Sequence, residues 1–366
     1  MQNSLKIFFF LLLFSSCQSQ KEQIASTDYK LTSKKIISIP IDNSTANIQL
    51  NTQYLEKTNE LVILNRKTNT LQFYDFEDKG KLSKKIMLEK EGDNGVGMIT
   101  DFLVHTQDSI FVLDAPLYKL SLIDHKGIVK NTYEVFNREK NANNATPDPF
   151  PYTPLVLVNN KMHISSSPPP SGPANKKYYA STGCVIILDL KTKKFEYKYT
   201  FPEVYQQNIY PSMLMMFHRT YSFKHKKFIH SFSADHYLQV SDYQTNTAYL
   251  ANSKQLQTVK TLEKELSEGK ESNKIANETS QFMGVYYDKF RDVFCRVFML
   301  KEPKMDDKFG LIILNTNLEK IGEVARTPDK LFPYNPIFTK EGMWLPKVDK
   351  DIENVMLYEL CELAKK

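Results

Sequence analysis

Cysteine is scarce in this chain, with four in 366 residues. Cys17, Cys184, Cys295 and Cys361 lie too far apart for any C-x-x-C pair, which excludes the usual paired-thiol redox and zinc motifs. The last three each sit in an apolar, strand-like run: GCVIILDL, DVFCRVFML and MLYELCEL. Buried free thiols are their expected state, with one incidental disulfide as the alternative. Long apolar runs are lacking as well. The greasiest early stretch, Ile7 to Phe14, is far shorter than the roughly 20 residues a membrane-spanning helix needs. An excess of one charge is also missing. Lys and Arg number 48 against 42 Asp and Glu, interleaved along the chain, for a net charge of +6. Such a balance makes no nucleic-acid footprint, and no nucleic-acid partner is expected. There is no G-x-S-x-G, H-E-x-x-H, P-loop or strand-borne G-x-G-x-x-G. No two histidines stand at metal-ligand spacing. The sequence therefore predicts no metal, no cofactor and no catalytic residue of a recognisable class.

The N-terminus carries a different signal. Lys6 precedes the short apolar run Ile7–Phe14, and Ser15 and Ser16 lead into Cys17. The run fits the apolar region of a secretory signal. Small residues before a cysteine resemble a bacterial lipobox, although Phe14 stands where Leu, Val or Ile is usual. The alternative is an ordinary signal with an incidental cysteine. The expectation is cleavage before Cys17, lipidation at Cys17 and attachment to a membrane through lipid. Residues 1–16 are then a signal peptide, 17–33 a polar lipidated tether and 34–366 the folded part. The place expected for it is the cell envelope, at the outer membrane.

What the chain has in quantity is strands. Its 23 Phe and 20 Tyr supply a large core. One motif recurs six times: LQFYD (71–75), LSLID (120–124), VIILD (185–189), LQVSD (238–242), LIILN (311–315) and VMLYE (355–359). Each copy is an apolar strand closed by an acid or amide. The closer spacings match one four-stranded propeller blade of about 40–50 residues. Other apolar runs flank each copy and complete four strands per unit, with NIQLN (47–51) as the innermost of the first, except that the sixth lacks its last. Residues 36–41, IISIPI, have no unit of their own and can supply it. The fold predicted is all-β, a six-bladed β-propeller of four-stranded blades closed by an N-terminal strand pairing with the last blade. Two packed sandwiches are the rival, but they would not repeat a four-strand unit. A quinone-dependent dehydrogenase is disfavoured, because such propellers usually carry repeated Trp and this chain has only Trp344.

The repeated acids read as turn formers, since Asp and Asn accept hydrogen bonds from backbone N–H groups two residues on. Long insertions fall only between second and third strands or between units, so they project from one face. That face is the expected binding face. Leu256, Val259, Leu262 and Leu266 recur at helical steps, which predicts an amphipathic helix within 253–272. Candidate ligand-binding residues are His218 and Arg219, at the start of the fourth unit, and Tyr152, Tyr210 and Tyr334 at comparable entrances. Aromatic faces with one Arg are common recognition parts, and the alternative is that they merely fill a channel. Arg296, mid-strand, is either a buried structural residue or an anion ligand facing the channel. An enzyme would gather carboxylates or a His at the funnel, and Asp101, Asp306, Asp307 and His218 are the residues to inspect.

The lipobox, the six units and the run Tyr287-Asp-Lys-Phe-Arg-Asp-Val-Phe-Cys-Arg296 together resemble a family of uncharacterised propeller lipoproteins from Bacteroidota. The resemblance covers the mature chain from about Lys30 onward. It implies a six-bladed propeller in the envelope and brings no reaction or ligand with it. Gln18 to Glu22 faintly resembles the Lys-plus-acid signals that export such lipoproteins to the cell surface. The function expected first is a lipid-anchored, non-enzymatic binding or scaffold module that takes an envelope protein, peptide or glycan on its long-loop face. The alternative is a hydrolase or lyase acting on an envelope glycan or peptide at the channel mouth, since the fold alone does not exclude enzymes.

Overall fold

Strands buried on both faces read as unbroken apolar runs, and this chain has many. Leu61, Val62, Ile63 and Leu64 are all buried on one strand, as are Leu311, Ile312, Ile313 and Leu314 on another. The computed structural model describes residues 27–76, 80–137, 145–149, 151–167, 176–256, 259–262, 270–301, 308–349 and 351–366. Cys17, Leu266, Asp306 and Asp307 lie outside the described residues.

The chain opens with β1 (Thr27–Pro40). A first sheet follows in the order β2 (Thr52–Leu55), β3 (Glu60–Asn65), β4 (Thr70–Asp75) and β5 (Leu82–Met87). A second holds β6 (Asp101–Thr106), β7 (Ser109–Asp114), β8 (Lys119–Ile123) and β9 (Val129–Glu134). The third has five strands: β10 (Thr146–Pro147), β11 (Val156–Val158), β12 (Lys161–Ser167), β13 (Val185–Asp189) and β14 (Phe195–Lys198). The fourth holds β15 (Phe217–Ser222), β16 (Lys227–Phe232), β17 (Tyr237–Ser241) and β18 (Asn246–Leu250). The last sheet joins two runs. One is β19 (Gln281–Asp288), β20 (Val293–Leu300), β21 (Lys308–Leu314) and β22 (Lys320–Val324); the other is β23 (Ile337–Phe338), β24 (Met343–Lys347) and β25 (Val355–Lys365). β1 lies between them, antiparallel to β25 and briefly parallel to β22.

The cores lie between sheets. Val62 and Leu71 pack with Ile110 and Val112, joining the first sheet to the second. Further clusters join second to third, third to fourth, and fourth to β19–β22. Another joins β19–β22 to β24 and β25. The circuit closes where Ile39, Trp344 and Tyr358 meet Leu61, Ile63 and Tyr74 of the first sheet. Each fully buried Leu or Ile contributes roughly 1.5–3 kcal/mol by leaving water. The arrangement is all-β and propeller-like, with mostly four-stranded sheets.

The turn chemistry of the repeated motif is visible. Asp124 Oδ1 accepts the N–H groups of Lys126 and Ile128; Asp189 Oδ1 accepts those of Lys191 and Thr192. Asp242 and Asn315 do the same for Gln244 and Thr245, and for Asn317 and Glu319. Glu359 differs. It lies inside β25, which continues to Lys365, and its carboxylate takes Lys347 Nζ at 2.6 Å.

Three other expectations need correction. β1 begins at Thr27, so residues 27–33, assigned above to the tether, are strand. Its first half alternates, with buried Leu31 facing the core, and the surrounding polar residues masked the pattern. The innermost strand of the first sheet is Thr52–Leu55 rather than 47–51. That strand is polar and half-buried because it borders a cavity. No helix forms over the described part of 253–262. Leu256 packs between the fourth sheet and β19–β22, while Val259 packs between the third and fourth sheets. The apolar steps mark an irregular segment laid across two cores, and the helix present is Lys270–Glu278.

Candidate functional site

A cavity of about 420 Å³ runs along the centre of the circuit. Thr52, Asp101, Leu155, Arg219, Tyr286 and Ile337 all line it, one from the innermost strand of each run or the residues just before that strand. Amide side chains stitch this inner ring. Asn51 Nδ2 donates to Thr100 O at 3.2 Å. Gln53 bonds both backbone groups of Val104, and Asn335 Nδ2 donates to Leu50 O.

Asp101 is the chemically unusual group. It starts β6 and is only 4% exposed. Its Oδ1 accepts the Phe102 N–H at 2.9 Å, while Oδ2 has no hydrogen-bond partner. Burial pushes its pKa up to about 7, although the Phe102 and Leu155 N–H groups, the Asn51 amide and, least, the Arg219 cation favour the charged form. A carboxyl so placed exists in both protonation states near neutrality.

At the long-loop end, three rings from different parts of the chain meet. The Tyr152 ring lies 4.6 Å from His218 and 4.9 Å from Tyr334, centroid to centroid. His218 is fully buried with neither ring nitrogen bonded, and burial drives its pKa down to about 3, so it is neutral at pH 7. The cavity lining also includes Glu56 and Lys289, which form an ion pair from turns on the opposite face. The channel is thus narrowed by aromatics on the side where binding was expected, and its lining continues to the other side.

The structure separates the candidate residues. Tyr152, His218 and Tyr334 come together. Arg219 borders the cavity, but its side chain turns toward the third sheet, where Nη2 donates to the carbonyls of Pro154 and His163. Tyr210 does not reach the cavity: it is buried between the third and fourth sheets, 5.0 Å from Tyr205. Arg296 is the buried structural residue rather than a channel ligand. Its Nε donates to Ser231 Oγ, its Nη1 to His236 O and Ala251 O, and its Nη2 to Phe232 O and Asp235 O. All five donors are used, and the guanidinium lies 3.6 Å from the Phe282 ring centroid. Burial lowers its pKa to about 9, which leaves it cationic. Asp288 and Arg291 pair in the turn after β19. Cys184, Cys295 and Cys361 are free and buried, as predicted. The amides Asn51, Gln53 and Asn335 carry no signal in the sequence, because polar inner segments leave no apolar pattern.

Residues 11–325 match the family model described as Domain of unknown function (DUF4221). The chain belongs to that family. A DUF4221 member from Bacteroides vulgatus, solved by crystallography, is similar at 20% identity and a TM-score of 0.81. The alignment covers 93% of this chain and 100% of that one. A Bacteroides fragilis protein, described provisionally as exported, is similar at 9% identity and a TM-score of 0.53, over 94% and 97% of the two chains. Both likenesses concern the fold alone. No curated protein matches the chain. The resemblance drawn from the N-terminal signal, the six units and the Tyr287–Arg296 run therefore holds as to an uncharacterised family with members in Bacteroides. Among its described residues, no three His, Cys, Asp or Glu side chains gather closely enough to hold a metal ion. No helix among them is long and apolar enough to cross a membrane.

Proposed function

We propose that this chain is a lipid-anchored recognition module of the cell envelope, built as a six-bladed β-propeller, which holds the end of a glycan in its central cavity. The six inter-sheet cores in a closed circuit, and a cavity bordered by six innermost strands, support the blade count. β1 then acts as the outer strand of the last blade and closes the ring. The observation that carries the function is the buried Asp101 carboxyl with one unpartnered oxygen, in a cavity walled by Tyr152, Tyr286 and Tyr287. Sugar rings stack on aromatic faces, and a sugar hydroxyl satisfies a buried acceptor that is costly to leave alone. Binding thus belongs in the channel rather than on the long-loop face.

Titration of the full chain with a panel of defined oligosaccharides by calorimetry tests this. At least one is expected to bind, with affinity at least tenfold weaker for Asp101→Leu. No saccharide binding, or binding unchanged in that variant, defeats the reading. Anchoring is tested separately by growth with an alkyne fatty acid. Label is expected on the native chain and none on Cys17→Ser. The second reading, a hydrolase or lyase, draws on the same Asp101, because a group titrating near pH 7 can exchange a proton during catalysis. Turnover of the bound saccharide, abolished in Asp101→Asn, would favour it.

A further inference from the structure

A second cavity, of about 620 Å³, opens between the third and fourth sheets, at the end where their short turns lie. Its wall is aromatic. Phe228 and Tyr243 stack with centroids 4.9 Å apart, and His163 lies 4.7 Å from Phe228. Phe223 stands on the rim 72% exposed, edge-on to Tyr221. A large ring so exposed has no part in the core.

The cleft's lining carries three lysines, Lys161, Lys198 and Lys226, against two acids. Of those acids, Asp242 accepts the Gln244 and Thr245 N–H groups, and Glu196 pairs with Lys198. Lys161 and Lys226 also line it, and neither has an ion pair among the described residues. Behind the wall lies Arg219, 2% exposed, its guanidinium 5.3 Å from the Phe228 centroid. Two of its nitrogens, Nε and Nη1, have no hydrogen-bond partner, and neither does Nδ1 of the buried His163. The same cation helps burial hold His163 and His230 neutral and partly offsets the burial that raises the Tyr243 hydroxyl. Arg219 forms no ion pair among the described residues, and the carboxyl it acts on, Asp101, lies in the central cavity. The cleft therefore joins an aromatic wall to a net positive lining.

We infer that this cleft is a binding site for an aromatic carboxylate, its ring against Phe228, Tyr243 and Phe223 and its acid group between Lys161 and Lys226. Ring stacking supplies the apolar contact, and the lysines and the underlying Arg219 select the anion. This site is separate from the central cavity and does not depend on what binds there.

Equilibrium dialysis of 2-naphthoate against the full chain, held in nonionic detergent and corrected with a matched detergent blank, tests the inference. Saturable binding of one naphthoate per chain is expected. Neutral 2-naphthamide, of the same shape, is expected to bind at least tenfold more weakly. The double substitution Lys161→Glu and Lys226→Glu, both on the rim, is expected to weaken naphthoate at least tenfold. Absence of saturable binding, or equal binding of the amide and the acid, overturns the site. Unchanged affinity in the double variant overturns it too. Should that variant fail to fold, the comparison of acid with amide on the native chain still decides.

Discussion

Single side chains carry much of the order between neighbouring sheets. Arg296 reaches from β20 to four carbonyls and a hydroxyl of the fourth sheet and its linker. Arg219 and Asn335 work the same way with fewer bonds. A planar, five-donor cation suits scattered carbonyls, and an ammonium with three donors on a flexible stem does not. Arg296→Met is expected to lower stability by about 3–5 kcal/mol, because buried acceptors lose charge-assisted bonds together. Arg296→Lys is expected to recover less than half of the loss. Urea unfolding of the three proteins checks both statements, and a lysine variant as stable as the native chain would refute the geometric argument. At this scale the sequence was partly legible. An Arg inside an aromatic strand has to be satisfied, which is why a structural role could be read for Arg296. Tyr210 was misplaced because an entrance residue and a core residue look alike without their neighbours. The lining of the cleft, from Leu157 to Gln244, is split between two sheets and shares no motif, so nothing in the sequence announces it.

Among the elements, β1 is the one on which the rest depends. It pairs with β25 from Tyr29↔Lys365 to Pro40↔Val355, with one bulge between Ser33 and Lys35, and touches β22 at its start. Without it, β22 and β25 both become free edges, which invite aggregation. Buried Ile39 also leaves the core that joins the last sheet to the first. A chain beginning at Ile41 is expected to be aggregated by size-exclusion chromatography, and a synthetic peptide of residues 27–40, added during refolding, is expected to restore some monomer. A monodisperse truncated chain would show that the closing strand is dispensable. The strands that were easiest to foresee, such as β3, β13 and β21, are buried on both faces and so apolar throughout. The polar inner strand β2 and the polar half of β1 escaped, since hydropathy reports burial rather than backbone conformation. The helical steps at Leu256 and Val259, which form no helix in the described residues, have the same origin: spaced apolar side chains satisfy two cores as readily as one helix face.

Over the whole molecule, buried ionisable groups set the response to acid. His163, His218 and His230 have pKa values driven from 6.5 down to about 3, mainly by burial. In the unfolded chain each takes a proton below about pH 6.5 that the folded chain refuses, so each destabilises the fold as pH falls. Asp101 acts with the opposite sign. Its carboxyl, raised from 3.8 to about 7, binds a proton in the folded state that the unfolded state has released between those values. Asp148, also raised by burial, works in the same sense. Asp42 is held well below the usual carboxylate range by Ser44, against the opposing effect of burial, so its contribution is lost only under more acidic conditions. From the three histidines and Asp101 alone, three protons gained by the unfolded chain less one gained by the folded chain leave about two; Asp148 lowers that figure, and carboxylates with lowered pKa such as Glu323 and Glu362 raise it toward pH 4.5. Stability is therefore expected to fall by roughly 2.7 kcal/mol per pH unit on acidification between pH 6 and 5, and no less steeply toward pH 4.5. Asp101→Asn removes the opposing proton and is expected to steepen the slope toward about 4 kcal/mol per unit. Urea midpoints at pH 4.5, 5.25, 6 and 7 measure it. A flat profile over that interval would mean that the three imidazoles are protonated inside the folded protein, and hence that water or an anion reaches them.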